Sequence, residues 1–277
     1  MNPIGNPMIF HRYPLEEALR LTAGFGYRQL EIWPPQIEMC RTNELRREFA
    51  AYAASLGLSL VRLNTAGADY FAPLDSRRAV KAIIGGLKRD IDIAQTLGMT
   101  QLLTWEGRKP KSAKSADLHG WILDKTTSIF REVVPYGRSK GISVSVEVHP
   151  FTLGMDLDFL VELCDRVDSD FFGVTYDCCH FGVGLPNEYV KAIAKLGHRI
   201  KHVHFSDSDK VSSELHFAIG KGCLDLAAIT AALKEIRFKG TMMLDLWLYP
   251  FPEAGTKSSL PHVKKVMKTL GLNGQHH

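Results

Sequence analysis

Eight short apolar runs, each followed by an amphipathic helical segment, set the strongest limit on how this chain can fold. The runs are PMIF (7–10), QLEIW (29–33), LSLVRLN (58–64), QLLTW (101–105), ISVSVEVH (142–149), FFGVTYD (171–177), IKHVHF (200–205) and TMMLDLW (241–247). Between them lie segments with helical apolar spacing, among them LEEALRLTAGFG, NELRREFAAYAASLG and DLDFLVELCDRV. Glycines at 26, 57, 98, 141 and 240 stand just ahead of a run, where a left-handed residue closes a helix. Eight strand-then-helix units, with no linker and no low-complexity segment, predict a single (β/α)8 TIM barrel spanning residues 1–277. A doubly wound open sheet is the competing α/β fold, but no GxGxxG follows the first run.

Bulk properties remove several classes of function. No apolar run approaches the ~18 residues of a membrane span, and the opening MNPIGNPMIFHRYP lacks the apolar region of a signal peptide, so the expectation is a cytoplasmic protein with no membrane partner. The five cysteines (40, 164, 178, 179, 223) form no CxxC pair, which argues against a disulfide framework or a zinc ribbon. A formal charge of +4 is too mild to imply a nucleic-acid partner. The basic stretch GRKPKSAKS (107–115) reads as a solvated loop, and the final QHH as the remnant of a purification tag.

Barrel strands alternate between the helix layer and the interior. With Val144, Val146 and Val148 facing the helices, Ser143, Ser145, Glu147 and His149 face inward. The same alternation turns Gly173, Thr175 and Asp177 inward in the next run, then His202 and His204, then Asp245 and Trp247. Each of the last four runs therefore aims an ionisable group at the C-terminal mouth, where barrel enzymes do their chemistry. Any one of them alone reads as polar lining of a wet mouth. Glu147, Asp177, His204 and Asp245 together would repel one another without a cation, and their oxygen-rich donor set with one nitrogen suits one Mn2+, Mg2+ or Co2+ per chain, with Zn2+ also admissible. Asp207 is expected to hold the His204 ring. His180, three residues past Asp177, is expected over the site, either as a surface or capping histidine or as a substrate contact. His216 is a candidate substrate contact ahead of the turn IGKG (219–222), whose Gly220 and Gly222 either shape the loop or let backbone amides approach a substrate oxygen. Cys178 and Cys179 are expected to pack rather than ligate. From the first half of the chain, Glu31, Trp33 and Asn64 face the site as candidate substrate contacts, and Arg62 is expected to pair with Glu31.

At these residues the sequence resembles the xylose isomerase-like TIM barrel superfamily, and within it the sugar phosphate isomerase/epimerase group. The resemblance runs from PLEEALRLTAGFGYRQLEIW to FKGTMMLDLW and is most specific in VSVEVHP, GVTYDCCH, IKHVHFSDSD and IGKGCLDL. It implies metal ligation by Glu147, Asp177, His204 and the position of Asp245, and often pairing of subunits, as a homo-oligomer or with a partner subunit. Two departures stand out. Asp245 replaces the usual glutamate, which in ketose epimerases is also one of two acid/base groups. His216 stands where many members carry an arginine ahead of the Gly-x-Gly turn. EVHP resembles the branch of dehydratases and lyases, in which a histidine two residues after the metal-binding glutamate approaches the substrate.

The expected chemistry is proton abstraction next to the carbonyl of a small sugar or keto-polyol through a metal-stabilised enediolate, with Glu147, His149 and Asp245 as catalytic groups. Return of the proton gives an isomerase or epimerase. Loss of a β-substituent gives a dehydratase or lyase of the inosose, dehydroshikimate or 3-keto-glycoside type. Two further readings carry less: a non-catalytic sugar-binding barrel, and an abasic-site endonuclease, whose three-zinc site YDCCHF and ELHFAIGKG resemble through Asp177, His180, Glu214 and His216. That site needs histidines that LEIWPP and LVRLNTAG lack, and LLTWEG offers only Glu106.

Overall fold

The protein is described by a computed structural model covering residues 3–33, 41–65, 74 and 76–272. Cys40, the loop aromatics Tyr70 and Phe71, and the terminal QHH lie outside the described residues. Seven parallel strands follow one another in sheet order: β1 (Gln29–Ile32), β2 (Ser59–Asn64), β3 (Gln101–Thr104), β4 (Ser143–Glu147), β5 (Phe172–Asp177), β6 (Ile200–Phe205) and β7 (Thr241–Leu244).

The first predicted run is not a strand. Pro7–Phe10 forms a 3-10 turn, with Asn6 capping the Met8 N–H. Pro7 lacks the N–H that a ladder needs and suits the first position of a helical turn. Ile4 and Gly5 stand between the sheet edges instead, bridging to Met243 of β7 and Leu30 of β1. The Ile4 N–H donates to Met242 O and the Gly5 N–H to Gln29 O, both at 2.8 Å, and the Glu31 N–H returns to Gly5 O at 3.0 Å.

Helices α1 (Leu15–Gly24), α2 (Asn43–Ser55), α3 (Arg77–Thr96), α4 (Leu123–Ser139), α5 (Leu157–Val167), α6 (Cys178–Gly184), α7 (Tyr189–Leu196), α8 (Leu226–Glu235) and α9 (Pro252–Thr269) fill the connections. Side-chain caps start several of them: Thr42 accepts from Leu45 N, Ser76 from Ala79 N, and Asp156 from Asp158 N and Phe159 N. Gly26, Gly57, Gly98 and Gly141 take the left-handed conformation expected after a helix. Gly240 does not; Arg237 takes it there (φ 54°), and Gly240 is needed because a Cβ would lie 2.1 Å from Lys201 O. None of the described helices is long and apolar enough to cross a membrane.

The predicted alternation holds. Val144, Val146, Val148, Val174, Tyr176, Val203, Phe205, Met242, Leu244 and Leu246 are at most 1% exposed and belong to the main apolar core, with Phe130 of α4 against Phe172 at 4.7 Å. The opposite faces build a polar interior: Arg62 Nη1 donates to Ser145 Oγ at 2.8 Å, and Ser145 Oγ lies 2.8 Å from Thr175 Oγ1. Burying the valines and aromatics on one face leaves the ionisable residues no place but the other.

Candidate active site

Asp177 ends β5 and pairs in the ladder with His204 of β6. Its Oδ1 caps α6 by accepting the His180 N–H at 2.8 Å, which leaves Oδ2 facing His204 and His216. His204 Nδ1 lies 2.6 Å from Glu147 Oε1 at the end of β4, 3.4 Å from Asp177 Oδ2 and 3.8 Å from Asp245 Oδ2, just beyond β7. The three predicted carboxylate ligands thus gather around His204 Nδ1, and all four residues are at most 5% exposed.

Two more histidines adjoin them. His216 Nδ1 lies 3.0 Å from Asp245 Oδ2 and 3.8 Å from Asp177 Oδ2. His180 Nε2 lies 3.3 Å from His216 Nε2, and its ring centroid lies 3.9 Å from that of His149, tilted by 35°. His180 sits in the first turn of α6 rather than in a free loop. With Glu214, His149 and His180 form a second group of potential ligands within 4.8 Å of one another. Burial draws the His204 and His216 rings toward neutrality, but the carboxylates win: Glu31 and Glu147 raise His204, Asp177 and Asp245 raise His216, both well above the ordinary value. His149 is held well below it by burial and by the neighbouring His180, so it is neutral at pH 7.

Asp177, His204 and Asp245 form a group that could hold a metal ion, with one ligand atom from each within 4.8 Å of the others. Asp177 Oδ2, His204 Nδ1 and His216 Nδ1 are buried with no well-formed hydrogen bond, although each has an oppositely charged neighbour within 4 Å. Buried polar atoms of that kind need a partner, and a cation bound between them would supply it. Cys179 lies close enough to Asp177 and His216 to form a group of potential ligands with them, but its thiol also approaches the carbonyls of Ser212 at 3.5 Å and Leu215 at 3.7 Å. Burial pushes the Cys178 thiol well up, so it stays protonated.

The site floors a cavity of about 170 Å3 lined by Asn6, Met8, Trp33, Asn64, Trp105, Glu147, His149, His180, His204, Glu214, His216, Met243, Asp245 and Trp247. Three tryptophans wall it, with Trp33 and Trp247 rings 5.7 Å apart and Trp105 4.3 Å from His149. Trp33 and Asn64 stand where the sequence placed them. Glu31 lies beneath the floor, with Oε1 accepting from Asn64 Nδ2 at 3.1 Å and Oε2 3.4 Å from Arg62 Nε, the expected pair. Trp105 and Asn6 were not anticipated. The alternation would have found Trp105, because Gln101 hydrogen-bonds Arg62 in the interior and 103 and 105 follow on that face. Asn6, whose Nδ2 lies 3.4 Å from Asp245 Oδ1, was hidden by the misplaced first strand.

Asp207 does not hold His204. Its two oxygens accept the N–H groups of Ser208, Gly220, Gly222 and Leu224 at 2.9–3.0 Å. The Gly220 and Gly222 amides are thereby spent inside the loop rather than offered to a substrate, and a Cβ on Gly222 would lie 2.5 Å from that carboxylate.

Glu106, just past β3, is fully buried outside the cavity lining and accepts the Gly154 N–H at 2.6 Å. Burial raises its pKa to about 7 against the help of Thr152 and Gly154. The folded protein therefore holds this proton more tightly than the unfolded chain, and stability falls as pH rises from about 4.5 toward 7. Glu106→Gln is expected to gain roughly 2 kcal/mol on the wild type between pH 5 and pH 8 in urea unfolding. A stability difference independent of pH would refute this.

Residues 19–266 match the family model described as xylose isomerase-like TIM barrel. The chain belongs to that family. A 128-residue stretch is 31% identical to the uncharacterized protein MJ1311 of Methanocaldococcus jannaschii, covering 45% of this chain and 43% of that protein, so the chain matches less than half of that relative's length. Over 237 residues it is 24% identical to an L-ribulose 3-epimerase of Methylomonas sp. (strain DH-1), covering 80% of this chain and 74% of that one. Among solved structures, an IolI protein with a bound zinc atom superposes with a TM-score of 0.79 at 18% identity, covering 100% of both chains.

Proposed function

We propose that this family member is a divalent-metal-dependent isomerase or epimerase of a small sugar or keto-polyol, acting by removal of the proton next to a carbonyl. The gathering of Glu147, Asp177 and Asp245 around His204, three of the four lining a tryptophan-walled cavity, carries this reading. The similarity to an L-ribulose 3-epimerase supports the sugar class. An ion bound by these four residues, Mn2+, Mg2+, Co2+ or Zn2+, would polarise the carbonyl and offset negative charge building on its oxygen.

The remaining work falls to the chain. Glu147 Oε2 and His149 Nε2 are 4.0 Å apart at the cavity edge, and either can receive the carbon-bound proton, His149 because burial keeps it neutral. His180, His216 and Asn64 offer hydrogen bonds to hydroxyls, and Trp33, Trp105 and Trp247 cover the apolar C–H face of a sugar. No lysine or arginine occurs among the described lining residues, which favours an uncharged sugar over a phosphate ester.

A dehydratase or lyase is the second reading, and Asp245 favours it. Its Oδ1 accepts the Trp247 N–H at 3.1 Å and its Oδ2 lies against His216. A carboxylate so tied is a poor second base for the opposite face, whereas elimination needs a base on one face only.

Metal-replete protein in D2O tests both readings. With uncharged ketoses or keto-polyols it is expected to place deuterium on the carbon beside the carbonyl, with phosphorylated analogues exchanging far less, and Glu147→Gln is expected to abolish the exchange. Binding of these sugars with no exchange would favour a non-catalytic sugar-binding barrel.

A further inference from the structure

Glu31 is engaged on every side by groups that are not substrate. Its Oε2 lies 3.4 Å from His204 Nε2, 3.4 Å from Arg62 Nε and 3.6 Å from His202 Nε2, while Oε1 accepts from Asn64. It is 2% exposed and outside the cavity lining. His204 has only two ring nitrogens. Nε2 meets Glu31, and Nδ1 meets the three carboxylates of the candidate metal site.

We propose that Glu31 is the positioning residue of the metal site, accepting the Nε2–H of His204 so that the Nδ1 lone pair is aimed between Glu147, Asp177 and Asp245. This rests on the metal-site reading given above. A carboxylate on the far nitrogen of a metal-bound imidazole fixes its tautomer and ring angle and raises its basicity. The Arg62 guanidinium stands 3.4 Å from the Glu31 carboxylate, and Gln101 and Ser145 hold that guanidinium in turn.

Glu31, His202 and His204 could themselves be taken for a second, deeper metal group. The local chemistry argues otherwise. The Arg62 guanidinium already supplies the positive charge at Glu31, and His202 Nδ1 is committed to Thr241 Oγ1 at 2.7 Å. The cluster is a hydrogen-bonded layer that presents one imidazole upward.

The test measures metal affinity, not turnover. Wild type, Glu31→Gln, Glu31→Asp and His202→Gln would be stripped and titrated with Zn2+ and Mn2+ against a chromophoric chelator, with thermal unfolding run alongside. Glu31→Gln is expected to bind about 10–100-fold more weakly. Glu31→Asp is expected to recover part of the loss, and His202→Gln, altered in the same layer, to stay within about twofold of wild type. In zinc-loaded wild type a slowly exchanging imidazole N–H proton should be assignable to His204 Nε2, and it should shift or vanish in Glu31→Gln. Wild-type affinity in a folded Glu31→Gln variant overturns the proposal and leaves the metal site standing, as does an equal loss in His202→Gln. A wild type that takes up neither ion overturns the metal-site reading itself.

Discussion

Asp177→Asn is expected to fold as the wild type does and to lose its metal. The two duties of this side chain can be separated because they use different oxygens. Oδ1 caps α6 through the His180 N–H, and asparagine caps a helix about as well as aspartate. Oδ2 is buried without a hydrogen bond and faces His204 and His216. Replacing the carboxylate by an amide keeps the shape and removes the charge that balances a cation. The expected loss of metal affinity exceeds the ~10–100-fold typical of residues that only support a ligand. Metal content per chain would fall from about one in the wild type toward zero, and deuterium exchange would fall with it. Asp177→Ala should lose the metal equally and also about 1 kcal/mol of stability through the missing cap. Retention of one ion per chain by Asp177→Asn would remove this residue from the ligand set. Two or three zinc ions in the wild type would instead draw in the His149, His180 and Glu214 group and bring back the endonuclease reading.

The floor of the site was legible in the sequence because it follows from a period of two. Once Val144, Val146 and Val148 are assigned to the helix layer, Glu147 has one place to point, and the same logic fixes Asp177, His204 and Asp245. What alternation cannot supply is the identity of partners across the barrel. Alternation makes Glu31 a candidate substrate contact because it faces inward. Facing inward also allows a position below the floor, and only the register of β1 on β2, with Glu31 opposite Arg62, places it there. Asp207 failed for a related reason. Adjacency in sequence to His204 suggested a hydrogen bond, but the turn that follows returns four amides to its carboxylate. The first strand was misplaced by an apolar tetrapeptide headed by proline, while the backbone bridging the sheet edges is the less apolar Ile4–Gly5 just before it.

Arg62 sets the largest expected stability effect in the chain. Its guanidinium is 2% exposed, burial lowers its pKa to about 10, and Glu31 and Glu147 pull the other way. Arg62→Ala leaves Glu31 buried without its cation, and breaking such a pair from one side costs about 3–5 kcal/mol. Urea unfolding at pH 7 would show it directly. Removing both charges is a different experiment. The double replacement Arg62→Met with Glu31→Leu eliminates the desolvated pair along with its partners, and substitutions of that kind are often neutral or stabilising by about 1–4 kcal/mol. The double variant is therefore expected to unfold at least as late as Arg62→Ala and close to the wild type, while its metal affinity stays as low as that of Glu31→Gln. That combination would separate stability from function within one layer. A barrel interior could be filled more cheaply with aliphatic side chains, and Arg62, Glu31 and His202 would then be there to aim His204 rather than to hold the strands together. Recovery of metal affinity together with stability in the double variant would refute that view and make the layer a packing element.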